Sequence, residues 1–180
     1  MEIQARTHRQ LLQDAQRNGI CDAWYQQMRD EKDSRQLLDM YLRGIDFCLL
    51  HEYPGMDILK RYQAEAQAAG IFVDCDGMRR RNPRKTVCLG ATAGLVTFDD
   101  NHVGSLYIKH DSTITLTARD NAFVMVDLFD KASLIVEAWD DAKICVNIYA
   151  EDGTPGPMLD TKTGGDARIK VINKHKKSYK

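Results

Sequence analysis

From Thr92 to Glu151 the apolar and polar positions fall into a ten-residue rhythm. TAGLVTFDDN, HVGSLYIKHD, STITLTARDN, AFVMVDLFDK, ASLIVEAWDD and AKICVNIYAE follow one another without a gap. In the last four units the third, fifth and seventh positions are Ile114, Leu116, Ala118, then Val124, Val126, Leu128, then Leu134, Val136, Ala138, then Ile144, Val146, Ile148. Apolar residues alternating with mixed ones are the mark of β-strands that cover a core with one face. Each unit ends in a corner: Asp120-Asn121, Asp130-Lys131 and Asp140-Asp141 stand before Ala122, Ala132 and Ala142. Asp and Asn bond nearby backbone N–H groups and tolerate turn dihedrals. DARIKVINK, residues 166–174, repeats the pattern, which makes EDGTPGPMLDTKTGG, residues 151–165, an expected excursion loop.

Ten residues per unit suits an antiparallel meander or a solenoid with two strands per coil of about twenty residues. The outward positions favour the two-sided solenoid. Alternate units place Tyr107, Lys109, Phe123, Met125, Phe129, Cys145 and Tyr149 on one side, and Thr113, Thr115, Thr117, Arg119, Ser133, Ile135, Glu137 and Trp139 on the other. One side is more aromatic, a twenty-residue modulation that a meander gives no reason for. Tyr107, Phe123, Met125, Phe129 and Tyr149 are therefore the candidate interaction residues. A sizeable bare apolar patch is avoided by soluble monomers, so a cover is expected, from the helical region or a second copy of the chain. Phe129 is then buried, with Thr115 and Glu137 exposed.

Ahead of the array the period becomes helical, and four helices are expected. Thr7 and Gln10 form a capping pattern before Leu11, Leu12 and Ala15, and Gly19 ends that helix. A second runs from about Asp22 to Lys32 on Trp24, Tyr25 and Met28. The third follows Asp33 or Ser34 and repeats Leu37, Leu38, Tyr41, Leu42, Ile45, Cys48 and Leu49 at helical spacing. Pro54 suits the first turn of the fourth, which carries Ile58, Leu59, Tyr62, Ala66 and Ala69 and stops at Gly70. After the short strand GIFVD, the stretch DCDGMRRRNPRK has turn formers and charge without apolar periodicity. The expected fold is α+β: a helical domain over residues 1–74, a basic linker over 75–86, a β repeat array over 87–174 and a basic tail over 175–180.

The Asp-Asn/Asp-Ala-x-Val-x-Val-x-Ala pattern over residues 92–151 resembles the decapeptide β repeats of uncharacterised proteins from bacteria and their phages, in which a helical amino-terminal region precedes the array. The resemblance implies a β-solenoid shape and carries no catalytic residues. This copy departs from the pattern: Gly94 and Gly104 occupy core positions, and the Asp-x-Ala corner is lost between the first units.

Composition narrows the function classes. The chain has 180 residues and 43% hydrophobic content, enough for one core or two small ones. MEIQARTHRQ has no apolar run, and no stretch approaches eighteen consecutive apolar residues, which argues against secretion and membrane insertion. Five cysteines, Cys21, Cys48, Cys75, Cys88 and Cys145, are odd in number and never spaced C-x-x-C, so a reducing, cytoplasmic setting is expected.

The net charge of -1 conceals blocks of alternating sign. Basic segments at residues 79–85 and 168–180 flank an acidic array, and Arg79, Arg80, Arg81, Arg84 and Lys85 are candidate phosphate contacts. His8, His51, His102, His110 and His175 are the candidate bases, but no Ser, Cys or carboxylate stands at a recognisable spacing from them. The aspartates around Cys75 lack the spacing of a calcium loop, and the Asp corners lack the glycines of a calcium-binding roll. No cofactor and no metal are expected. The function expected is a non-enzymatic interaction or assembly module. A nucleic-acid-associated accessory role is the alternative, and an enzyme of unknown reaction comes third.

Overall fold

The protein is described as a computed structural model over residues 3–179. It divides into a helical unit ending at Ala69 and a β unit beginning at Gly70.

The helical unit contains α1 (Ala5–Arg17), α2 (Asp22–Asp30), α3 (Ser34–Arg43), α4 (Ile45–Leu50), α5 (Met56–Arg61) and α6 (Gln63–Ala69). Six helices replace the expected four because two periodic stretches are broken internally. Gly44, the poorest helix former of its stretch, leaves helical geometry at φ -99 and ψ 37 and separates α3 from α4. Tyr62 does the same between α5 and α6 at φ -113 and ψ 35. Two expected caps also move. Thr7 is buried inside α1, whose N-cap is Gln4, and Pro54 lies two residues ahead of α5, whose N-cap is Gly55. Asp33 does cap α3, its side chain accepting the Arg35 N–H at 2.7 Å. The core of the unit gathers Leu11, Ala15, Leu38, Tyr41, Leu49 and Ile58, and the Tyr53 hydroxyl donates to the Leu11 carbonyl across it at 3.1 Å.

The β unit holds β1 (Ile71–Val73), β2 (Met78–Arg81), β3 (Lys85–Leu89), β4 (Ala93–Phe98), β5 (Val103–Ile108), β6 (Thr113–Ala118), β7 (Phe123–Phe129), β8 (Ser133–Ala138), β9 (Lys143–Tyr149), β10 (Met158–Thr163) and β11 (Arg168–Asn173). The odd strands form one sheet and the even strands another, in the orders β1-β3-β5-β7-β9-β11 and β10-β8-β6-β4-β2. Every pairing among the described residues is parallel, each strand bonding to the one a full coil away. An antiparallel meander is thereby excluded, and the unit is a parallel β-solenoid. Its interior is a continuous stack in which Leu116, Val126, Val136 and Val146 are wholly buried.

The pairing offset corrects two expected boundaries. Through the middle of the array partners lie twenty residues apart, as in Leu116 with Val136. At the start the offset is sixteen, Met78 with Gly94, and at the end twenty-five, Leu134 with Leu159. The four missing residues come from the β2–β3 corner, where Asn82, Pro83 and Arg84 make the whole connection. The stretch expected to be a basic linker is therefore the first coil, and its period was hidden because that corner is short. The extra five sit in the β9–β10 corner. Residues 151–165, expected as an excursion loop, contain β10, in which Leu159 packs against the core and the polar DTKT follows it on the edge strand of the sheet.

The corners follow the same arithmetic. Gly90, Asp100, His110, Asp120, Asp130 and Asp140 all have positive φ, between 54° and 66°, a region open to Gly and tolerated by Asp, Asn and His. The carboxylates also tie one coil to the next: Asp120 accepts the Asp100 N–H at 2.9 Å, Asp130 the His110 N–H at 3.2 Å and Asp140 the Asp120 N–H at 3.3 Å. His110 fills the carboxylate's place for Gly90, accepting its N–H on Nδ1 at 3.0 Å. The two core glycines are packing solutions. A Cβ on Gly104 would strike the Phe98 ring and the Pro83 carbonyl, and one on Gly94 would strike Met78; the large neighbour fills the volume that the glycine leaves.

Asp120→Asn retains both the acceptor and the tolerance of positive φ, and changes stability by no more than about 1 kcal/mol. Asp120→Val loses the acceptor and forces a β-branched residue into the left-handed region, at a cost of about 2 to 3 kcal/mol. Urea unfolding of the two variants checks the difference.

Candidate interaction surface

The outward face of the odd-strand sheet is built in register columns. Val103, Phe123, Lys143 and Arg168 form one, and Ser105, Met125, Cys145 and Lys170 the next. Beside them run Val87, Tyr107, Asp127, Asn147 and Ile172, and Phe129 pairs with Tyr149 at the far edge. Parallel stacking at about 4.8 Å holds each column rigid.

The five expected interaction residues do not behave as one patch. Phe129 is wholly buried and Tyr149 nearly so, their rings stacked with centroids 4.4 Å apart. Burial, with Asp127 and Tyr107 adding to it, pushes the Tyr149 hydroxyl up to about 12. Lys109, only 6% exposed, sets its ammonium 5.8 Å from the Phe129 ring centre and 2.8 Å from the Asp130 carboxylate. Tyr107 is half-buried beneath the Lys85 ammonium. Phe123 and Met125 are 38% and 45% exposed, and Val103, in register with Phe123, is 65% exposed. Sequence reasoning missed Val103, although it holds the same place in its ten-residue unit as Phe123 does. Next to this apolar row stand the exposed cations Lys143, Arg168 and Lys170.

On the even-strand sheet Thr115 and Glu137 are half-buried where exposure was expected. The reason is column packing: Thr115 lies between Leu95 and Ile135, and Glu137 between Thr117 and Lys162, each shielded by side chains one coil away.

The basic stretch is dispersed by strand alternation. Arg80 points inward and lies over the Phe72 ring, Arg81 pairs with Asp99 at 2.7 Å, and Lys85 belongs to the other sheet. Arg79 and Arg84 remain as exposed positions. A protein that grips a duplex through phosphates commonly uses several Lys or Arg on one surface.

The histidines are tied into local structure. His8 Nε2 meets the Met28 carbonyl at 2.7 Å, His102 Nδ1 the Asp99 carbonyl at 2.9 Å and His175 Nδ1 the Asp152 carboxylate at 2.6 Å. His51 packs on the Phe47 ring. Asp99, Asp100 and His102 come close together, but the Asp99 oxygens are taken by Asn82 and Arg81. These bonds hold its carboxyl below the usual range, Asn82 contributing most and Arg81 next. All five cysteines are free, and burial pushes the Cys48 and Cys88 thiols upward, away from reactivity. No helix among the described residues is long and apolar enough to cross a membrane.

Comparison of the chain with protein-family models, with curated proteins and with solved structures gave no match.

Phe129→Ser removes a fully buried ring from its stack and destabilises the fold by about 3 to 5 kcal/mol, whereas Thr115→Ser changes stability by less than about 0.5 kcal/mol; chemical denaturation reads both. Because the folded Asp99 carboxyl titrates below its unfolded value, its contribution is complete above that value and declines as pH falls through the folded one. Asp99→Ala therefore lowers the melting temperature at neutral pH, and the gap from the parent narrows once the pH drops below 3.8, the ordinary aspartate value.

Proposed function

We propose that the protein is a non-enzymatic interaction or assembly module that presents a rigid β-solenoid face to a protein partner. The observation that carries this reading is the exposed row Val103, Phe123 and Met125, fixed on adjacent paired strands. An apolar centre with a polar rim is the usual anatomy of a protein interface, and a backbone held by ladder hydrogen bonds loses little conformational entropy on docking. Lys143, Arg168 and Lys170 beside the row favour a partner whose apolar contact is edged with Asp or Glu. The resemblance to decapeptide repeat proteins of bacteria and phages agrees with such a role. The free, scattered cysteines suit the cytoplasm.

A photo-crosslinking residue placed at Met125 gives a discrete adduct in cells, lost when Lys170→Glu is added, whereas the same residue at Thr115 on the opposite sheet gives none. Phe123→Ser abolishes the adduct while changing stability by less than about 0.5 kcal/mol. Sedimentation velocity of the purified chain tells whether the partner is a second copy. Equal crosslinking from both sheets, or none from Met125, sinks the reading.

A further inference from the structure

The helical unit holds a half-open cavity of ≈ 410 Å³. Its walls come from five helices: Leu11 of α1, Trp24 and Met28 of α2, Leu38 of α3, Phe47 of α4 and Ile58 of α5. We infer that this cavity is a binding site for an uncharged, largely apolar small molecule, a function separate from the solenoid face.

Three observations fix the class of occupant. The volume lies in the range that small-molecule sites occupy, roughly 300 to 1,000 Å³. The walls come from five helices, whereas a groove that receives a peptide helix runs between two extended ridges and is read along one line of anchors. Two charged residues stand at the rim: the Arg43 guanidinium sits 5.2 Å from the Trp24 ring centre and pairs with Asp39 at 2.9 Å, and Asp46 is an exposed carboxylate. The Tyr53 hydroxyl, at the wall, is likewise used by the Leu11 carbonyl. An anionic ligand would lose its hydration, find its one cation already paired and meet the Asp46 carboxylate, which excludes anions from the class, and the apolar walls behind the rim favour an uncharged occupant. An apolar one gains dispersion contacts that the walls otherwise lack.

The break at Gly44 belongs to the same device. Gly44 lines the cavity, and a Cβ placed on it would lie 3.7 Å from the Trp24 ring, in ordinary contact. Alanine fits there, while any larger side chain is driven into the space that the ligand needs.

The test uses N-phenyl-1-naphthylamine, an uncharged apolar fluorophore, and 8-anilinonaphthalene-1-sulfonate, the same ring system bearing a sulfonate. The chain has two tryptophans, so Trp139→Phe leaves Trp24 as the one donor for energy transfer to bound dye. The neutral dye binds saturably at one site per chain and quenches Trp24, and the sulfonate binds at least tenfold more weakly. Gly44→Phe and, as a second filling variant, Leu37→Trp each weaken the neutral dye at least tenfold while the far-ultraviolet circular dichroism stays unchanged; for Leu37→Trp the readout is dye emission. Phe123→Ser, which blunts the solenoid row, leaves dye binding as it was. Should either filling variant lose helicity, Trp24 quenching in the Trp139→Phe chain decides alone. Dye uptake that does not saturate, no quenching of Trp24, equal binding of the sulfonate, or loss of binding in Phe123→Ser overturns the inference.

Discussion

Each strand of the solenoid is held by strands one coil away and by none in its own coil, so the fold depends on a single constraint, the residue count from one coil to the next. A one-residue slip would exchange inward and outward side chains along a whole strand. The corners keep the count. A left-handed residue turns the chain in one step, and its side chain reaches the neighbouring coil's N–H, so that turn geometry and inter-coil bonding reside in the same aspartate. The buried core and the displayed row of Val103, Phe123 and Met125 both follow from that registry.

Much of this was legible in the sequence, and the limits are physical. From Thr113 to Tyr149 each strand begins ten residues after the one before it, so alternation and spacing speak together, and the inward residues can be read one by one. The first coil was misread because Asn82, Pro83 and Arg84 shorten its corner, and strand alternation made Arg79, Arg80 and Arg81 look like a linker instead of a strand with faces. In the last coil β11 falls within the repeat read at residues 166–174, while β10 was missed for the opposite reason: it is the edge strand of its sheet among the described residues and carries mostly polar residues, so periodicity has little to mark. In the helices apolar spacing located the buried faces but not the breaks, since Gly44 and Tyr62 preserve the spacing while altering the direction.

The candidate surface was legible as a face and not as a site. Sequence assigns Phe123, Met125, Phe129 and Tyr149 to one side, yet Phe129 and Tyr149 are stacked and buried while Phe123 and Met125 are open. Burial depends on what lies along and across a column, including the amphipathic Lys109 stem beside Phe129, and a strand-by-strand pattern carries no such information. The helical cavity left no periodic trace either, because its walls use the same apolar residues as a filled core.

The corner bond has a direction. Each carboxylate reaches toward the amino-terminal coil and each N–H it meets faces the carboxy-terminal one, so every internal coil offers the same pair of complementary ends. Duplicating any twenty consecutive codons within the regular stretch, where partners are twenty residues apart, would insert one complete coil whose corners dock above and below without altering a neighbouring residue. The length of the platform is thus a quantity that a gene can change in whole steps, while shifts of a few residues are absorbed at corners, as at β2–β3 and β9–β10.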